Sequence, residues 1–289
     1  MIPTVCGDAL APDAVSELQR LCRECRKLII NMTAHAGCGH TGGSLSEVEI
    51  LVALYFKVMR IDPQNPRWAE RDRFILSKGH ATPGYYAILA MRGFFPVEML
   101  GEFDKINSHL QGHPCMNKTV GVDMSTGSLG QGLSAGIGMA LGRDRRKWGF
   151  TVYVLLGDGE LQEGQIWEAA MYAGFHQVKG LVAILDYNRV QLAGKVAETL
   201  DLEPLADKWK AFRWQVKECD GHDMAQVVQT LEGAKALSWA SGPVVVIAHT
   251  VKGKGVSFME HQFKWHGRAP NAEERVQALA EIEPRGESS

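Results

Sequence analysis

The chain has 289 residues, 45% of them hydrophobic and 22% charged, which is enough to bury a full core as one large domain or two small ones. Its formal net charge is −2 and its pI about 6.6, so no excess basic field is present to attract nucleic acid or an anionic membrane surface. There is no apolar run of about 18 residues and no secretory leader pattern, so we expect a cytoplasmic protein with no membrane partner.

Two helices and a short strand are predicted in the first part of the chain. Residues 12–36 and 45–59 have helical apolar patterns, and residues 73–77 form a short apolar run typical of a buried strand. The CxxC formed by Cys22 and Cys25 lies inside the first helical pattern, and no second CxxC is present to complete a tetrahedral zinc site. We therefore expect these thiols to be reduced and free of metal.

The rest of the chain alternates between apolar strands and helical segments. Four β-branched runs predict strands, with helical segments such as residues 163–177 between them; the runs are residues 151–157, 181–187, 214–220 and 243–249. This alternation predicts an α/β fold with a parallel sheet and helices on both faces. Ligands of such sheets bind beyond the carboxyl ends of the strands.

No repeat, low-complexity segment or linker divides the sequence, so we expect a single domain over residues 1–289. Its core is predicted at about residues 15–270, with a flexible C-terminal tail at about residues 271–289.

Polar residues follow two neighbouring predicted strands. Gly157, Asp158 and Gly159 end the first, and Asn188 ends the next, thirty residues after Asp158. A carboxylate and an amide oxygen suit a hard divalent cation that also binds phosphate, and the glycines let the backbone approach an anion closely. The pattern therefore favours a phosphate-bearing ligand. The alternative is a tight strand-to-helix turn in which Asp158 is only an N-cap.

The spacing of this motif is similar to that of the thiamine diphosphate enzymes, whose signature is GDG followed, roughly thirty residues later, by Asn. The resemblance implies a parallel-sheet thiamine diphosphate-binding fold of the diphosphate-domain type. It also implies three metal ligands: the side chains of Asp158 and Asn188, and the main-chain carbonyl of Val190. The metal would be Mg²⁺, Ca²⁺ or Mn²⁺, because these oxygen ligands suit each of them.

Further motifs resemble those of transketolases in particular, in the same chain order and over about residues 15–270. Four contain a histidine: His40 in AGCGHTGGSLS, His80 in SKGH, His113 in QGHP and His266 in KWHGRAP. The segment STGSLGQG at 125–132 is close to the loop that cradles the cofactor in that family. Lys252, fourteen residues before His266, also fits the family layout.

The resemblance assigns expected roles residue by residue. His40, His113 and His266 would surround the reactive carbon and the sugar hydroxyls as the catalytic residues. The expected cofactor-binding residues are His80, Gly127, Ser128, Leu129, Gly159, Glu163, Asn188, Lys252 and His266. Within that set His80 and Gly159 would contact the diphosphate, and Glu163 would help to link two active sites in a dimer. The serine that some transketolases place three residues after the first histidine is Gly43 here, so no such contact is expected.

Histidines suit this chemistry because ketol transfer moves protons on and off a sugar hydroxyl near neutral pH. Transketolases are usually more than twice as long, and their activating glutamate belongs to a second domain for which no second sheet pattern is visible here. The resemblance therefore implies the N-terminal subunit of a two-chain transketolase that uses sugars or sugar phosphates. Its partner would be a C-terminal subunit carrying the pyrimidine domain, in a dimer of such pairs.

Alternative interpretations remain at this stage. The chain would also fit the matching subunit of a 2-oxo acid dehydrogenase or decarboxylase, or a non-catalytic module that holds thiamine diphosphate. The spacing of His109, His113 and Cys115 would suit zinc on a helix, but Gly and Pro interrupt any helix there. The GxGxxA pattern at 130–135 lacks a preceding strand, so helix packing explains it better than a dinucleotide site.

Overall fold

A five-stranded parallel sheet forms the centre of the protein in a computed structural model that describes residues 10–283. Its spatial order is β1-β2-β3-β7-β6, where the strands are β1 Arg73–Leu76, β2 Val152–Gly157, β3 Leu181–Tyr187, β6 Gln215–Asp220 and β7 Val244–His249. The predicted α/β class with a parallel sheet is confirmed. Each predicted strand is present with its bounds shifted by one residue at most.

A short antiparallel hairpin was not predicted. Its strands are β4, Val190–Gln191, and β5, Gly194–Lys195, and it begins two residues after Asn188. Two-residue strands leave too little alternation of apolar and polar residues to be recognised in a sequence.

Ten α-helices surround the sheet in the described residues: α1 Pro12–Ala36, α2 Thr41–Ser46, α3 Val48–Ala53, α4 Thr82–Arg92, α5 Gly132–Arg146, α6 Gly164–Phe175, α7 Val196–Thr199, α8 Leu205–Ala211, α9 Met224–Ser241 and α10 Ala272–Ile282. Helices α1, α3, α4 and α9 contribute to the apolar core on one face, whereas α5, α6 and α8 contribute to the core on the other. Alternate residues of each strand point to opposite faces; Tyr153 and Leu155 belong to the first core, and Val152 and Val154 to the second.

The predicted helix at 45–59 is wrong in its bounds and continuity. Helical structure begins earlier, at Thr41, and is interrupted at Glu47, whose φ of −92° and ψ of 1° separate α2 from α3. A π-helical turn, Leu54–Val58, then extends α3. The interruption places the buried Glu47 carboxylate 2.8 Å from the Lys78 ammonium, a contact between distant residues that periodicity cannot reveal.

The expected flexible tail from residue 271 is also wrong over most of its length. Helix α10 occupies Ala272–Ile282 and begins with a capping box, in which the Asn271 side chain accepts from the Glu274 N–H and the Glu274 carboxylate accepts from the Asn271 N–H. Ala278 and Ile282 are buried, and α10 packs on α1. Residues 1–9 and 284–289, which include the ends of the predicted domain, lie outside the described residues.

The zinc interpretations gain no support from residues 10–283. Cys22 and Cys25 are buried unpaired thiols in α1, and His109 makes a hydrogen bond through Nδ1 to the Lys118 carbonyl. Within this part of the chain, no cluster of three His, Cys, Asp or Glu side chains is placed to hold a metal. Nor does any described helix combine the length and apolar character that a membrane span requires.

The close packing of α5 on β2 depends on Gly136. A Cβ atom at Gly136 would lie 2.6 Å from Cγ2 of Val154, whereas a Cβ at the exposed Gly138 meets nothing within 4 Å. We predict that Gly136→Ala lowers the free energy of unfolding by about 1–3 kcal/mol through overpacking. Gly138→Ala should raise it by up to about 1 kcal/mol, since alanine favours a helix over glycine. Chemical denaturation of both variants checks this, and equal shifts would contradict the packing argument.

Candidate active site

Strands β2 and β3 end side by side at the carboxyl edge of the sheet. They pair in parallel with Gly157 opposite Asp186, so the residues that follow each strand, Asp158 and Asn188, occupy neighbouring loops. The two loops are in direct contact, because the Asp158 carboxylate accepts a hydrogen bond from the N–H of Arg189. The structure thus brings together the two side chains on which the metal hypothesis depends.

Asp158 is a buried carboxylate whose hydrogen bonds come from neutral groups. It is 3% exposed and accepts from the backbone N–H of Gly159 at 2.8 Å as well as from Arg189. Burial raises the pKa of Asp158 to about 7, and the negative charge of the nearby Asp186 acts in the same direction. A buried carboxylate with neutral hydrogen-bond donors is stabilised in its ionised form by a bound cation. Its environment therefore fits a metal ligand.

The two other oxygens implied as ligands follow β3, one on Asn188 in the loop and one on Val190 at the start of β4. Oδ1 of Asn188 accepts from the Val190 N–H at 3.0 Å, and the carbonyl oxygen of Val190 accepts from Nζ of Lys252 at 3.3 Å. Together with Asp158 they provide one carboxylate and two neutral oxygens, which is the donor set that suits a hard divalent cation bound also to phosphate. The residues present therefore fit the implied metal.

Four histidines from four separate segments converge beside these loops. The His40 ring centroid lies 5.0 Å from that of His80, 5.4 Å from that of His266 and 6.5 Å from that of His113. His80 and His266 are stacked at 4.9 Å. All four predicted histidines are thus in one cluster, although they are spread over most of the sequence.

Three of these imidazoles have lowered pKa values. Burial, followed by the charge of His113, lowers the pKa of His40 to about 4. Burial, followed by the charge of Lys252, lowers the pKa of His266 to about 3, and burial also holds the pKa of His80 well below its usual range. These rings are neutral at pH 7, so each has one nitrogen lone pair, and that of His266 accepts from the Lys252 ammonium.

Lys252 connects the histidines with the predicted metal ligands. Its Nζ lies 3.1 Å from Nδ1 of His266 and donates to the Val190 carbonyl. Burial lowers the pKa of Lys252 to about 8, and the nearby charge of Lys78 acts in the same direction. The ammonium is therefore a buried cation at the junction of the two parts of the site.

The glycine-rich loop at 125–132 packs against the histidine segments. A Cβ atom at Gly127, where φ is +152°, would lie 3.2 Å from Cδ2 of His113, and a Cβ at Gly79 would lie 2.6 Å from Oγ1 of Thr126. Only glycine permits both close approaches. Ser128 is exposed and Leu129 is half-buried on the same loop.

The other two predicted cofactor residues lie around the first turn after β2. A Cβ at Gly159 would lie 3.0 Å from Cβ of Gln191, so the turn packs against the β4–β5 hairpin. Glu163 is exposed just before α6, and its Cβ is 2.9 Å from the Cβ position of Gly130. Every predicted site residue therefore lies in the loops at the carboxyl edge of the sheet or packs against them.

Sequence reasoning missed several buried charged residues beneath the site. Glu160 accepts from the N–H groups of Gly130 and Gly157, at 2.9 and 3.0 Å, and so holds the glycine-rich loop against the end of β2. The others are Glu47, Lys78 and Asp186, which are at most 2% exposed. A charged residue inside an apolar run, such as Asp186 in LVAILDY, was the available signal.

Comparisons with known proteins agree with this geometry. Residues 18–282 match the family described as transketolase, thiamine diphosphate binding domain. The chain is 47% identical over 271 residues to the 6-deoxy-6-sulfo-D-fructose transketolase subunit SqwG of Clostridium sp. (strain MSTE9), covering 93% of this chain and 98% of that protein. It is 41% identical to an apulose-4-phosphate transketolase subunit of Phocaeicola vulgatus, covering 90% of this chain and 92% of that protein.

A solved structure shows the same fold. The Pichia stipitis transketolase in complex with sedoheptulose-7-phosphate superposes with a TM-score of 0.86 at 30% identity, covering 92% of this chain and 41% of that chain. The fold and the match define a domain that binds thiamine diphosphate. The chain belongs to the transketolase family, as the histidine motifs indicated, and corresponds to about two fifths of that full-length transketolase.

We predict that His40 stays neutral until the pH approaches 4. A lowered pKa means that the neutral ring persists below the ordinary midpoint, so the His40 ring resonances should not move between pH of about 8 and about 5.5. NMR of the chain with ¹³C-labelled histidine measures this, and His40→Gln assigns the signal. A titration midpoint near the ordinary value of 6.5 would contradict the burial of the ring in this cluster.

Proposed function

We propose that this chain is the thiamine diphosphate-binding N-terminal subunit of a two-chain transketolase, which transfers a two-carbon ketol unit from a ketose to an aldose. The observation that carries the proposal is the cluster of four histidines that Lys252 joins, through His266 and the Val190 carbonyl, to the loop of Asn188. The oxygen ligands suit a divalent metal that also binds diphosphate, and neutral imidazoles can accept and donate protons. A ketol transferase needs both at one place.

The ends of β2 and β3 would hold the cofactor. Asp158, Asn188 and the Val190 carbonyl would hold the divalent metal, which would supply positive charge for the diphosphate. His80 and Gly159 would contact the diphosphate, and the loop of Gly127, Ser128 and Leu129 would line the cofactor. The buried carboxylate of Asp158 and the glycine packing of both loops support these roles.

Proton transfer is assigned to the histidine cluster. When bound, thiamine diphosphate supplies the electron sink for the carbon–carbon bond chemistry. His40, His113 and His266 face the sugar and exchange protons with its hydroxyls. The neutral state of His40 at pH 7 supports a role as a proton acceptor, because a free lone pair is required, whereas His266 accepts from Lys252 through Nδ1 and so offers its Nε2–H as a donor. Lys252 lies next to His266, where its ammonium orients this ring and offers a positive charge to anionic groups.

A second chain completes the enzyme. The two relatives of closely similar length are both named as transketolase subunits, and the matches cover 98% and 92% of their lengths. We infer a partner that carries the pyrimidine domain and the activating glutamate, in a dimer of heterodimers in which Glu163 lies near the contact between active sites. The exposed position of Glu163 before α6 is compatible with such a contact.

The ketoses for which the two relatives are named share an anionic group. One relative is named for a sulfonated ketose and the other for a ketose phosphate, so the chemistry common to both is a ketose with an anion away from its carbonyl. We propose this class of donor for the present chain.

Replacing Asp158 by Ala tests the metal site. The variant should keep its fold and lose metal-dependent cofactor binding, with an affinity for thiamine diphosphate in Mg²⁺ lowered at least on the order of 100-fold. Isothermal titration calorimetry measures the affinity and circular dichroism the fold. Asp144→Ala, which removes an exposed carboxylate on α5, is the control and should bind as the wild type does. Unchanged binding by Asp158→Ala would contradict the assignment.

The need for a partner is tested by turnover. We predict that the purified chain, supplied with thiamine diphosphate, Mg²⁺, a ketose phosphate or sulfonated ketose and an aldose phosphate, shows no ketol transfer. Adding the pyrimidine-domain chain should restore it, since the activating glutamate arrives with that chain. Product formation followed by chromatography is the measurement. Robust turnover by the single chain would refute the two-chain arrangement.

A further inference from the structure

Asp186, near the end of β3, accepts hydrogen bonds from four side chains. It is fully buried, and its Oδ2 accepts from Oγ of Ser46 at 2.6 Å, from Nδ2 of Asn188 at 3.0 Å and from Nζ of Lys78. Its Oδ1 accepts from Oγ1 of Thr250. All four donors are themselves buried, so water does not compete for the carboxylate.

The four donors come from four different segments, and each segment carries a residue of the proposed site. Lys78 is two residues before His80, and Thr250 is two residues before Lys252. Asn188 is itself a proposed metal ligand, and Ser46 lies in α2, the helix that begins directly after His40. One carboxylate therefore connects the segments that carry His40, His80, Asn188 and Lys252.

The contact with Asn188 determines which end of that amide is available to a cation. A carboxylate has only lone pairs, so it requires the NH₂ group of the amide on its side. The Asn188 oxygen is then directed away from Asp186, towards the Val190 N–H. Without Asp186 the two amide orientations would be closer in energy, and the orientation that presents NH₂ to a cation cannot bind it.

Lys78 keeps this carboxylate ionised inside the protein. The Lys78 ammonium contacts Asp186, the Glu47 carboxylate at 2.8 Å and the Gly43 carbonyl at 3.2 Å. Buried ion pairs add little stability compared with well-packed apolar residues, because both charges lose their hydration. Core stability alone therefore does not account for the cluster of Glu47, Lys78 and Asp186, whereas orientation of the surrounding loops does.

We propose that Asp186 is a positioning residue for the metal and diphosphate site, acting through Asn188, Lys78 and Thr250. This inference rests on the proposed function, because it concerns the same cofactor. Replacing a residue that hydrogen-bonds to a metal ligand typically changes the metal affinity by about 10–100-fold.

A double-mutant cycle tests the action through Asn188. Thiamine diphosphate is titrated in excess Mg²⁺ into the wild-type chain, Asp186→Asn, Asn188→Ala and the double variant, with the partner chain present if the wild type requires it. Asp186→Asn should weaken binding by about 10–100-fold. In the Asn188→Ala background the same change should cost at least about 3-fold less than in the wild type, since residues that act as a unit are not additive; the loss that remains is the part that acts through Lys78 and Thr250. A purely structural role would give independent, multiplying effects.

Asp72 provides the matched control at the opposite edge of the sheet. It is also buried, accepts from the N–H of Thr151 at 2.7 Å and pairs with Lys235 at 2.9 Å. Asp72→Asn should lower the melting temperature as Asp186→Asn does but leave cofactor affinity unchanged. Equal affinity of Asp186→Asn and the wild type, or a loss of affinity in Asp72→Asn of the same size, overturns the inference.

A second pair of variants covers the case in which Asp186→Asn does not fold. Thr250→Val removes one donor to Asp186 with little change in volume, and Thr151→Val removes the hydroxyl that accepts from Nε1 of Trp239 at 3.0 Å. Only Thr250→Val should weaken cofactor binding, by a few-fold; equal affinities overturn the inference. Absence of binding by the wild type, alone and with its partner, would instead overturn the proposed function and this inference with it.

Discussion

The parallel pairing of β2 with β3 is the constraint on which the rest of the site depends. With Gly157 opposite Asp186, the chain leaves both strands at the same height, and the loops that follow must share one space. Parallel strands in this register place their carboxyl ends together and require long crossover connections. Those connections include α6 after β2 and α9 between β6 and β7, so the helices that cover the sheet also determine where the loops begin.

At the carboxyl edge of the sheet, charged side chains lie within a few ångströms of neutral imidazole rings. Carboxylates and ammonium groups lie at the base, where Lys78 lies between Glu47 and Asp186, while the imidazoles above them are held neutral by burial. Burial raises the pKa of Glu47 to about 8 even though Lys78 opposes the change. The cluster of Glu47, Lys78 and Asp186 therefore need not carry two full negative charges, because Glu47 can be protonated at pH 7. The region combines fixed charges beneath the proposed cation site with neutral imidazole rings beside it. Ketol transfer requires both, because charge must be stabilised and protons must be moved.

Much of this arrangement could be predicted from the sequence. Strands were predictable because buried parallel strands are continuous β-branched runs, and the order of the histidine motifs identified the family. The break at Glu47 was not, since it depends on a contact with the distant Lys78. Helix α10 was also missed, although the capping box of Asn271 and Glu274 is a local signal for its start. The roles of the Glu160 and Asp186 carboxylates were not predicted, because most of their partners are distant in sequence; the charge of Asp186 within an apolar run was the local signal. The roles of the individual site residues stay predictions.

The histidines and oxygen ligands come from segments between His40 and His266, so no short fragment of the chain contains the whole site. Local secondary structure alone cannot bring these residues together, so the site exists only when the entire domain is folded. A ligand that binds only the folded form stabilises that form by mass action. Supply of the vitamin-derived cofactor would therefore influence how long the polypeptide survives in a cell, because the unliganded pool unfolds more often and is the one exposed to proteases.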